Sequence, residues 1–403
     1  MRTVIQSHSV FKDKERLLPD FPIEKHWNSL PYREEQVQSL WNIYSSILDK
    51  PFESHLRVTQ IIGPTGTGKS CTARFFGDAF EREAIKKKIA LKHIYMNLKL
   101  EGGRRVILYR NLLGKIEPSL VSASLSSEEM LKNLVQHLQR TKQLLLLTID
   151  EIDYYVTHFR EEGIIYDLTR LGELSRSSPS GLVGIIFLAR DDRFYEALDP
   201  GELSTLGRLN IRFSTYKMNQ IAEILEKRAH EALNQGACSS EVFEFIGDVT
   251  FRPPINGDMR YALDLLLYAG NLADNLGSIT ILPEHVRSVH SESNHLITAE
   301  DILNVTSEEK LILMAMARTL RNKRVPYVPL KEIRTTVKIF SEELKSEPIL
   351  LDNLDDSIQD LADRGIVDIK GINRIGISDV ALESIEKFFE SITERGNKVF
   401  DQK

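Results

Sequence analysis

Cysteine and long apolar runs are scarce in this sequence. Its 403 residues include two cysteines, Cys71 and Cys238, which lie far apart and lack the spacing of metal ligands. We therefore expect no disulfide scaffold, and a reducing compartment suits the chain. No apolar run approaches the roughly 18 residues that a membrane span needs, and the first residues do not resemble a signal peptide. These absences predict a cytoplasmic protein without a membrane partner.

An excess of positive charge is also missing. Lysine and arginine number 52 against 58 acidic residues, so the formal net charge is −6. This balance is not typical of a nucleic-acid-binding protein, although a local basic face can sit on an acidic chain. The ten histidines form no HExxH pair, and no serine or cysteine lies in a recognisable nucleophile motif. The sequence therefore indicates neither a metal-dependent hydrolase of the HExxH type nor a hydrolase with a serine or cysteine nucleophile.

Strand and helix patterns alternate through the first half of the chain. Apolar runs at 56–62, 89–97, 144–149 and 181–189 predict strands, and helical periodicity separates them. Two of these runs are continuously apolar, as in strands that are buried on both faces. The alternation predicts an α/β core with a parallel sheet and helices on both of its faces.

The second half is predicted to be almost entirely helical. Strand signals end near residue 216, and a helical block extends to about residue 277. The last segment predicts three helices and then a hairpin at 366–377, which is the pattern of a winged helix. We therefore predict three domains, which are a nucleotide-binding core at 1–215, a helical lid at 216–298 and a winged helix at 299–403.

A glycine-rich segment after the first predicted strand matches G-x-x-x-x-G-K-[ST]. Glycines let the backbone curl so that its N–H groups face phosphates, while Lys69 offers a cation and Ser70 a hydroxyl for Mg²⁺. The helix that follows directs its positive end toward the anion. The predicted nucleotide contacts here are Gly63, Pro64, Thr65, Gly66, Thr67, Gly68, Lys69, Ser70 and Cys71.

Two carboxylates follow the buried run at 144–149. In a phosphate-loop protein, Asp150 is expected to position Mg²⁺ through water, and Glu151 to polarise the attacking water. We therefore predict that Lys69, Asp150 and Glu151 carry the catalysis of ATP hydrolysis. Asp153 is interpreted as a local structural carboxylate. By itself the pattern could also be a solvated acidic loop, but the phosphate loop upstream favours the metal site.

Arg260 begins an otherwise apolar helix after Asn256, Gly257 and Asp258. From its position alone it is either an exposed helix arginine or a sensor of the γ-phosphate.

Taken together, these motifs resemble those of the archaeal replication initiators, the origin-recognition and cell-division-cycle branch of the AAA+ ATPases. The resemblance extends over residues 10 to 390, and Gly-Asp-Met-Arg-Tyr-Ala-Leu-Asp at 257–264 is its most specific part. Two further segments resemble that family. Residues 30–40 are similar to the segment that lies beside the adenine there. Residues 197–207, which are followed by Tyr216, are similar to its join between ATPase core and lid.

The resemblance implies a slow ATPase that converts ATP to ADP and phosphate and acts as a regulatory switch. Arg260 becomes the second nucleotide sensor, and Tyr216 joins the nucleotide-binding residues. ATP or ADP and Mg²⁺ are the implied cofactors. The implied partners are origin-type double-stranded DNA, the replicative helicase and other initiator subunits, which predicts association with the nucleoid.

Three departures mark this chain as a divergent member. Arg190 stands where the family has an asparagine that orients water, and an arginine cannot accept a hydrogen bond from water. Gly201 replaces the finger arginine, for which Arg208 or Arg212 could substitute. Residues 301–403 hold 16 basic and 19 acidic residues, and the expected DNA-reading helix is rich in aspartate.

Other residues are therefore better candidates for DNA contacts. In the hairpin these are Lys370, Asn373 and Arg374, and in the core they are Arg104 and Arg105. Solvated basic faces would look the same in sequence. The alternatives left open are a signal-type AAA+ ATPase whose winged helix binds protein, a regulatory paralogue with little turnover, and a clamp loader-like ATPase, against which the winged helix argues.

Overall fold

A computed structural model describes residues 9–23, 27–51, 53, 55–174, 180–294, 297, 301–302, 304–343 and 353–389. The chain divides into two compact units. One is Pro22–Thr215, and the other combines Met1–Phe21 with Tyr216–Lys403. We refer to them as the core unit and the lid unit.

The core unit is built on a five-stranded parallel sheet in the order β2-β3-β4-β1-β5. Its strands are β1 (Arg57–Ile62), β2 (Leu91–Asn97), β3 (Leu144–Asp150), β4 (Leu182–Ala189) and β5 (Asn210–Arg212). The predicted parallel sheet is thus confirmed. The sequence analysis missed β5, because three residues with a single buried side chain carry too little periodicity to show.

Eight helices of the described core unit connect and cover these strands. They are α1 (Glu34–Tyr44), α2 (Lys69–Lys86), α3 (Leu98–Glu101), α4 (Arg105–Ile116), α5 (Ser127–Thr141), α6 (Ile152–His158), α7 (Ile164–Thr169) and α8 (Pro200–Leu206). The capping box predicted at the start of α5 is present: Ser126 accepts from the Glu129 N–H, and Glu129 accepts from that of Ser126.

Both faces of the sheet are packed, as predicted for a doubly covered sheet. Along β3, Leu145 and Leu147 belong to one apolar cluster, while Leu144 and Leu146 belong to another. Alternate side chains of a strand point to opposite faces, so each cluster occupies one side of the sheet. Every residue of β3 is buried, which explains its continuous apolar run.

The described residues of the lid unit form seven long helices and one short hairpin. The helices are α9 (Met218–Ala232), α10 (Ser240–Phe251), α11 (Met259–Asn275), α12 (Pro283–Asn294), α13 (Ser307–Lys323), α14 (Leu330–Glu343) and α15 (Leu354–Asp363). The hairpin pairs β6 (Asp368–Ile369) with β7 (Ile375–Gly376) in antiparallel fashion, and a further helical stretch covers 382–389. Helix α12 falls between two segments of the sequence analysis and was not predicted.

The described part of the N-terminal segment packs on the lid helices. The N–H groups of Lys12 and Asp13 both donate to the Ala232 carbonyl, at 2.8 and 2.9 Å. The Arg228 guanidinium, 3 % exposed, donates to the carbonyls of Arg16 and Leu18. The domain boundaries of the sequence analysis, which group these residues with the core, stay predictions; along 9–21 one proline and scattered apolar residues give no signal of the surface on which the segment packs.

Arg287 of α12 joins the lid helices to the C-terminal segment. Its Nε donates to the Ile377 carbonyl at 2.6 Å, and one terminal nitrogen donates to the Pro326 and Val325 carbonyls at 2.9 and 3.2 Å. The residue is 1 % exposed, and Glu284 is its acidic neighbour at 3.3 Å. A buried charge that satisfies buried carbonyls in this way is costly to remove.

No helix within the described ranges is both long and apolar enough to cross a membrane.

Arg287→Met is expected to lower the free energy of unfolding by about 2–4 kcal/mol, because it leaves buried carbonyls without this donor and removes the cation beside Glu284. Urea titration measures the change. Lys338→Met, at an exposed position of α14, is the matched control and should change stability by less than about 0.5 kcal/mol. Equal stability of the two variants would contradict the role assigned to Arg287.

Candidate nucleotide-binding site

The glycine-rich segment forms a tight loop between β1 and α2. Gly66 and Gly68 have φ angles of 71° and 82°, a region that favours glycine. A Cβ on Gly63 would lie 2.3 Å from the Phe213 carbonyl oxygen, so no larger residue fits there. The described structure shows no side-chain cap on α2, whose first N–H groups therefore face the loop, as in phosphate-binding helix starts.

Lys69 lies folded over this loop. Its Nζ donates to the Gly63 carbonyl at 2.5 Å and to the Pro64 carbonyl at 2.8 Å, and the residue is 9 % exposed. The ammonium group is thus held in the concave side of the loop. A cation at this place complements the charge of a bound phosphate.

Asp150 ends β3 beside the start of α2. Its Oδ2 accepts from the Ser70 hydroxyl at 2.5 Å, and its Oδ1 accepts from the Glu151 N–H at 2.8 Å. The residue is 5 % exposed. The structure therefore brings Ser70 and Asp150 together, although 80 residues separate them in the chain.

Tyr95 is a residue of this site that the sequence analysis missed. Its hydroxyl donates to Asp150 Oδ2, and the Arg74 guanidinium lies 4.0 Å above its ring. Burial, and then the Asp150 charge, raise the pKa of Tyr95. The phenol therefore stays protonated and holds the Asp150 carboxylate in place. Strand order could have suggested it, since β2 pairs with β3, but that order is not visible in sequence.

Glu151 follows Asp150 with a φ of 59°, which is unusual for a residue that carries a side chain. Its Oε2 accepts from an Arg190 terminal nitrogen at 2.6 Å. Arg190 Nε also lies 3.5 Å from Asp153 Oδ2. Asp153 is in the first turn of α6, where burial raises its pKa. The arginine at the asparagine position therefore contacts the predicted catalytic carboxylate directly.

The segment before α1 is fastened to the phosphate loop by Arg33, another residue that sequence reasoning missed. The Arg33 guanidinium donates to the carbonyls of Thr67, Tyr32 and Ser214 at 2.8, 2.8 and 2.9 Å, and the residue is 4 % exposed. A small apolar cluster lies in the same segment, in α1 and in α2. Its members are Ile23, Trp27, Leu30, Val37, Cys71 and Phe75.

These residues fit a nucleotide and Mg²⁺. Protein sites for Mg²⁺ commonly supply one or two oxygen ligands and leave the others to water and substrate phosphates. Ser70 and Asp150 are such a pair, and in the part of the chain that the structure describes no larger group of acidic, histidine or cysteine side chains could hold a metal. The apolar cluster is suited to a base ring.

Two predicted nucleotide residues belong to the lid unit. Arg260 lies in the first turn of α11 and is exposed, and its N–H donates to the Asp258 side chain at 2.9 Å. Its guanidinium interacts electrostatically with Asp264, which lies four residues further along α11. Tyr216, at the start of the unit, is 5 % exposed. Their roles toward the nucleotide stay predictions.

The predicted DNA contacts differ in how accessible their charges are. Arg104 is exposed before α4, whereas Arg105 is surrounded by Glu128, Glu162 and Asp167 at 2.9, 3.9 and 3.5 Å. The charge of Arg105 is therefore paired with carboxylates of the core unit.

In the hairpin, Lys370 is paired with Asp248 of α10, which is 3 % exposed. Arg374 lies 3.4 Å from Glu244 of the same helix, and Asn373 is exposed. Contact of these residues with DNA stays a prediction, and the structure adds that both cations lie against lid carboxylates.

Comparisons with known proteins agree with this geometry. Residues 53–198 match a family model described as an AAA domain, and residues 222–291 match a Cdc6 AAA+ ATPase-type lid domain. The chain is 29 % identical over 402 residues to the ORC1-type DNA replication protein 1 of Sulfolobus acidocaldarius, covering 97 % of this chain and 96 % of that one.

Two solved structures have the same fold. One is Cdc6p from Pyrobaculum aerophilum, with a TM-score of 0.79 and 25 % identity, covering 96 % of this chain and all of that one. The other is the ORC1 protein of Aeropyrum pernix in complex with DNA, with a TM-score of 0.61 and 24 % identity, covering 96 % and 98 %.

Tyr95→Phe is expected to weaken Mg²⁺-dependent nucleotide affinity by about tenfold, because residues that orient metal ligands contribute on that order. The ring over which Arg74 lies is kept. Titration of a fluorescent ATP analogue with Mg²⁺ and with EDTA measures the effect, which should vanish in EDTA. Tyr166→Phe, at a position 42 % exposed, is the control. Unchanged affinity with Mg²⁺ would show that Tyr95 does not orient Asp150.

Proposed function

We propose that this chain, which belongs to the archaeal ORC1/Cdc6 family of AAA+ replication proteins, is an ATP-dependent switch that binds duplex DNA at replication origins and assists in loading the replicative helicase. The observation that carries the proposal is the convergence of Lys69, Ser70 and Asp150 around the phosphate loop, with Ser70 2.5 Å from Asp150. The match of 222–291 to a Cdc6-type lid supports it.

Each residue of the core site has a distinct task in this proposal. Lys69 neutralises phosphate charge, while Ser70 and Asp150 supply the oxygens that hold a metal ion and its waters. Bound Mg²⁺ would neutralise charge on the phosphates. Glu151 is the general base for the attacking water, and Arg260 of the lid unit is the second nucleotide sensor.

The lid unit is suited to carry a signal from α11 to the C-terminal segment. Tyr261, next to Arg260, lies 2.7 Å from His290 Nδ1, and His290 Nε2 lies 2.8 Å from Asp379. His290 is 2 % exposed. This buried chain of hydrogen bonds, together with Arg287, ties the sensor helix to the segment that is predicted to present DNA contacts.

We propose that ATP turnover is slow. Gly201 follows Pro200 at the start of α8 and offers no finger arginine. Of the two possible substitutes, Arg212 is paired with Asp192 at 2.6 Å, and Arg208 is exposed. An arginine finger typically accelerates hydrolysis by several orders of magnitude, so its replacement favours a long-lived ATP state.

A second candidate function is a winged helix that binds protein. Helix α15 supports it, because Asp355, Asp356, Asp360 and Asp363 are all exposed on the helix that would enter a DNA groove. Carboxylates repel phosphates and add no counterion release. DNA contact through the core, near Arg104, remains compatible with this acidic helix. Asp352 of the same predicted helix lies outside the described residues.

Lys69→Ala is expected to lower ATP affinity by at least about a hundredfold, because it removes the buried cation of the phosphate loop. Glu151→Gln should bind ATP normally and lose turnover. Equilibrium binding and phosphate release measure the two effects separately. ATP binding by Lys69→Ala that equals wild type would contradict the site.

DNA binding is expected to weaken with salt, and Arg104→Ala should reduce the slope of log affinity against log salt by about one, the loss of one phosphate contact. Gel shifts with random duplex at several salt concentrations measure the slope. Lys86→Ala, whose lysine is paired with Glu83, is the control. Negligible affinity of the wild type at low salt would favour the protein-binding alternative.

A further inference from the structure

The contact between Arg190 and Glu151 is the unusual feature of this site. An Arg190 terminal nitrogen lies 2.6 Å from Glu151 Oε2, and the Glu151 side chain is 22 % exposed. Asp153 adds a second carboxylate at 3.5 Å. Hydrogen bonding to Glu151 and the surrounding negative charges raise the pKa of Arg190. The guanidinium is thus held at the acidic end of β3, although the side chain is 45 % exposed.

Sheet topology explains why these two side chains meet. Strands β3 and β4 are parallel neighbours, with Ile149 beside Phe187. Arg190 follows the end of β4 and Glu151 follows the end of β3, so both side chains emerge at the carboxyl edge of the sheet. The left-handed backbone of Glu151, with a φ of 59°, belongs to the arrangement in which its carboxylate meets Arg190.

The contact with Arg190 engages the Glu151 carboxylate, which the proposed reaction needs as its general base. A general base must reach the attacking water with a free carboxylate oxygen. A charge-assisted hydrogen bond at 2.6 Å engages one oxygen of Glu151 and offsets its negative charge. Arginine carries only donors, so it cannot itself accept a proton from water.

We infer that Arg190 is a positioning residue that latches Glu151 away from water and so keeps this protein in its ATP-bound state. The inference rests on the proposed function, in which this site binds ATP and Glu151 is the base. In place of an asparagine that orients water, the chain has a cation that restrains the base. The latch therefore regulates how long the switch stays on.

Arg190→Asn in the full chain tests the latch. Single-turnover hydrolysis of bound ATP is expected to rise by about tenfold or more, because a hydrogen bond between charged groups is lost from the resting state of the base. The dissociation constant for ATP should change by less than about threefold. Arg190→Lys, which keeps the charge but loses the planar fork, should give an intermediate rate.

Arg193→Asn is the matched control. Arg193 is three residues along the chain, 82 % exposed and paired with Asp191, and its loss should leave the hydrolysis rate unchanged. Arg190→Asn combined with Glu151→Gln should be inactive, which shows that the added turnover passes through Glu151. A rate for Arg190→Asn that is equal to or below that of wild type would overturn the latch.

A second measurement needs no turnover. In nucleotide-free protein, the stabilities of wild type, Arg190→Asn, Glu151→Gln and the double variant form a cycle whose coupling term reports the contact. We expect a favourable coupling, and additive effects would overturn the latch. If wild type fails to bind ATP, the proposed function falls, whereas normal binding with an unaccelerated Arg190→Asn overturns only the latch.

Discussion

The hydrogen bonds of the buried Asp150 carboxylate are the interactions on which the candidate nucleotide site depends. At the end of a fully buried strand, it accepts from the Ser70 hydroxyl, the Tyr95 phenol and the Glu151 N–H. A charged group at 5 % exposure is tolerated because donors surround it. The same hydrogen bonds hold the start of α2, the end of β2 and the residue after β3 close to this carboxylate. The phosphate loop and the acidic strand end thereby become a single site.

In the lid unit, buried charged residues stabilise the fold by pairing with one another. Asp248 pairs with Arg252 and Lys370 and accepts from Tyr327, while Asp368 accepts from Arg252. Burial raises the pKa of Asp368. Breaking such a cluster costs several kcal/mol, so the hairpin is held firmly on α10. Lys370 contributes to this joint, and Arg374 pairs more loosely at the surface.

Similarity to the archaeal replication proteins and sequence divergence are compatible in this chain. The core matches an AAA domain, and the similarity to a relative at 29 % identity extends along nearly the whole chain. The departures at Arg190 and Gly201 concern turnover, and the acidic α15 concerns DNA reading. The proposed function, a nucleotide switch whose resetting and contacts differ from those of its relatives, accounts for all three.

The sequence by itself determined the parallel sheet, the helical lid, the family resemblance and the residues of the phosphate loop, because each is encoded in local periodicity or in a contiguous motif. Tertiary structure alone decided which distant side chains meet. Tyr95 and Arg33 join the site only through strand pairing and loop packing, the N-terminal segment packs on α9, and Arg190 reaches Glu151 because β3 and β4 are neighbours. Such contacts depend on strand order and burial, which no local pattern encodes.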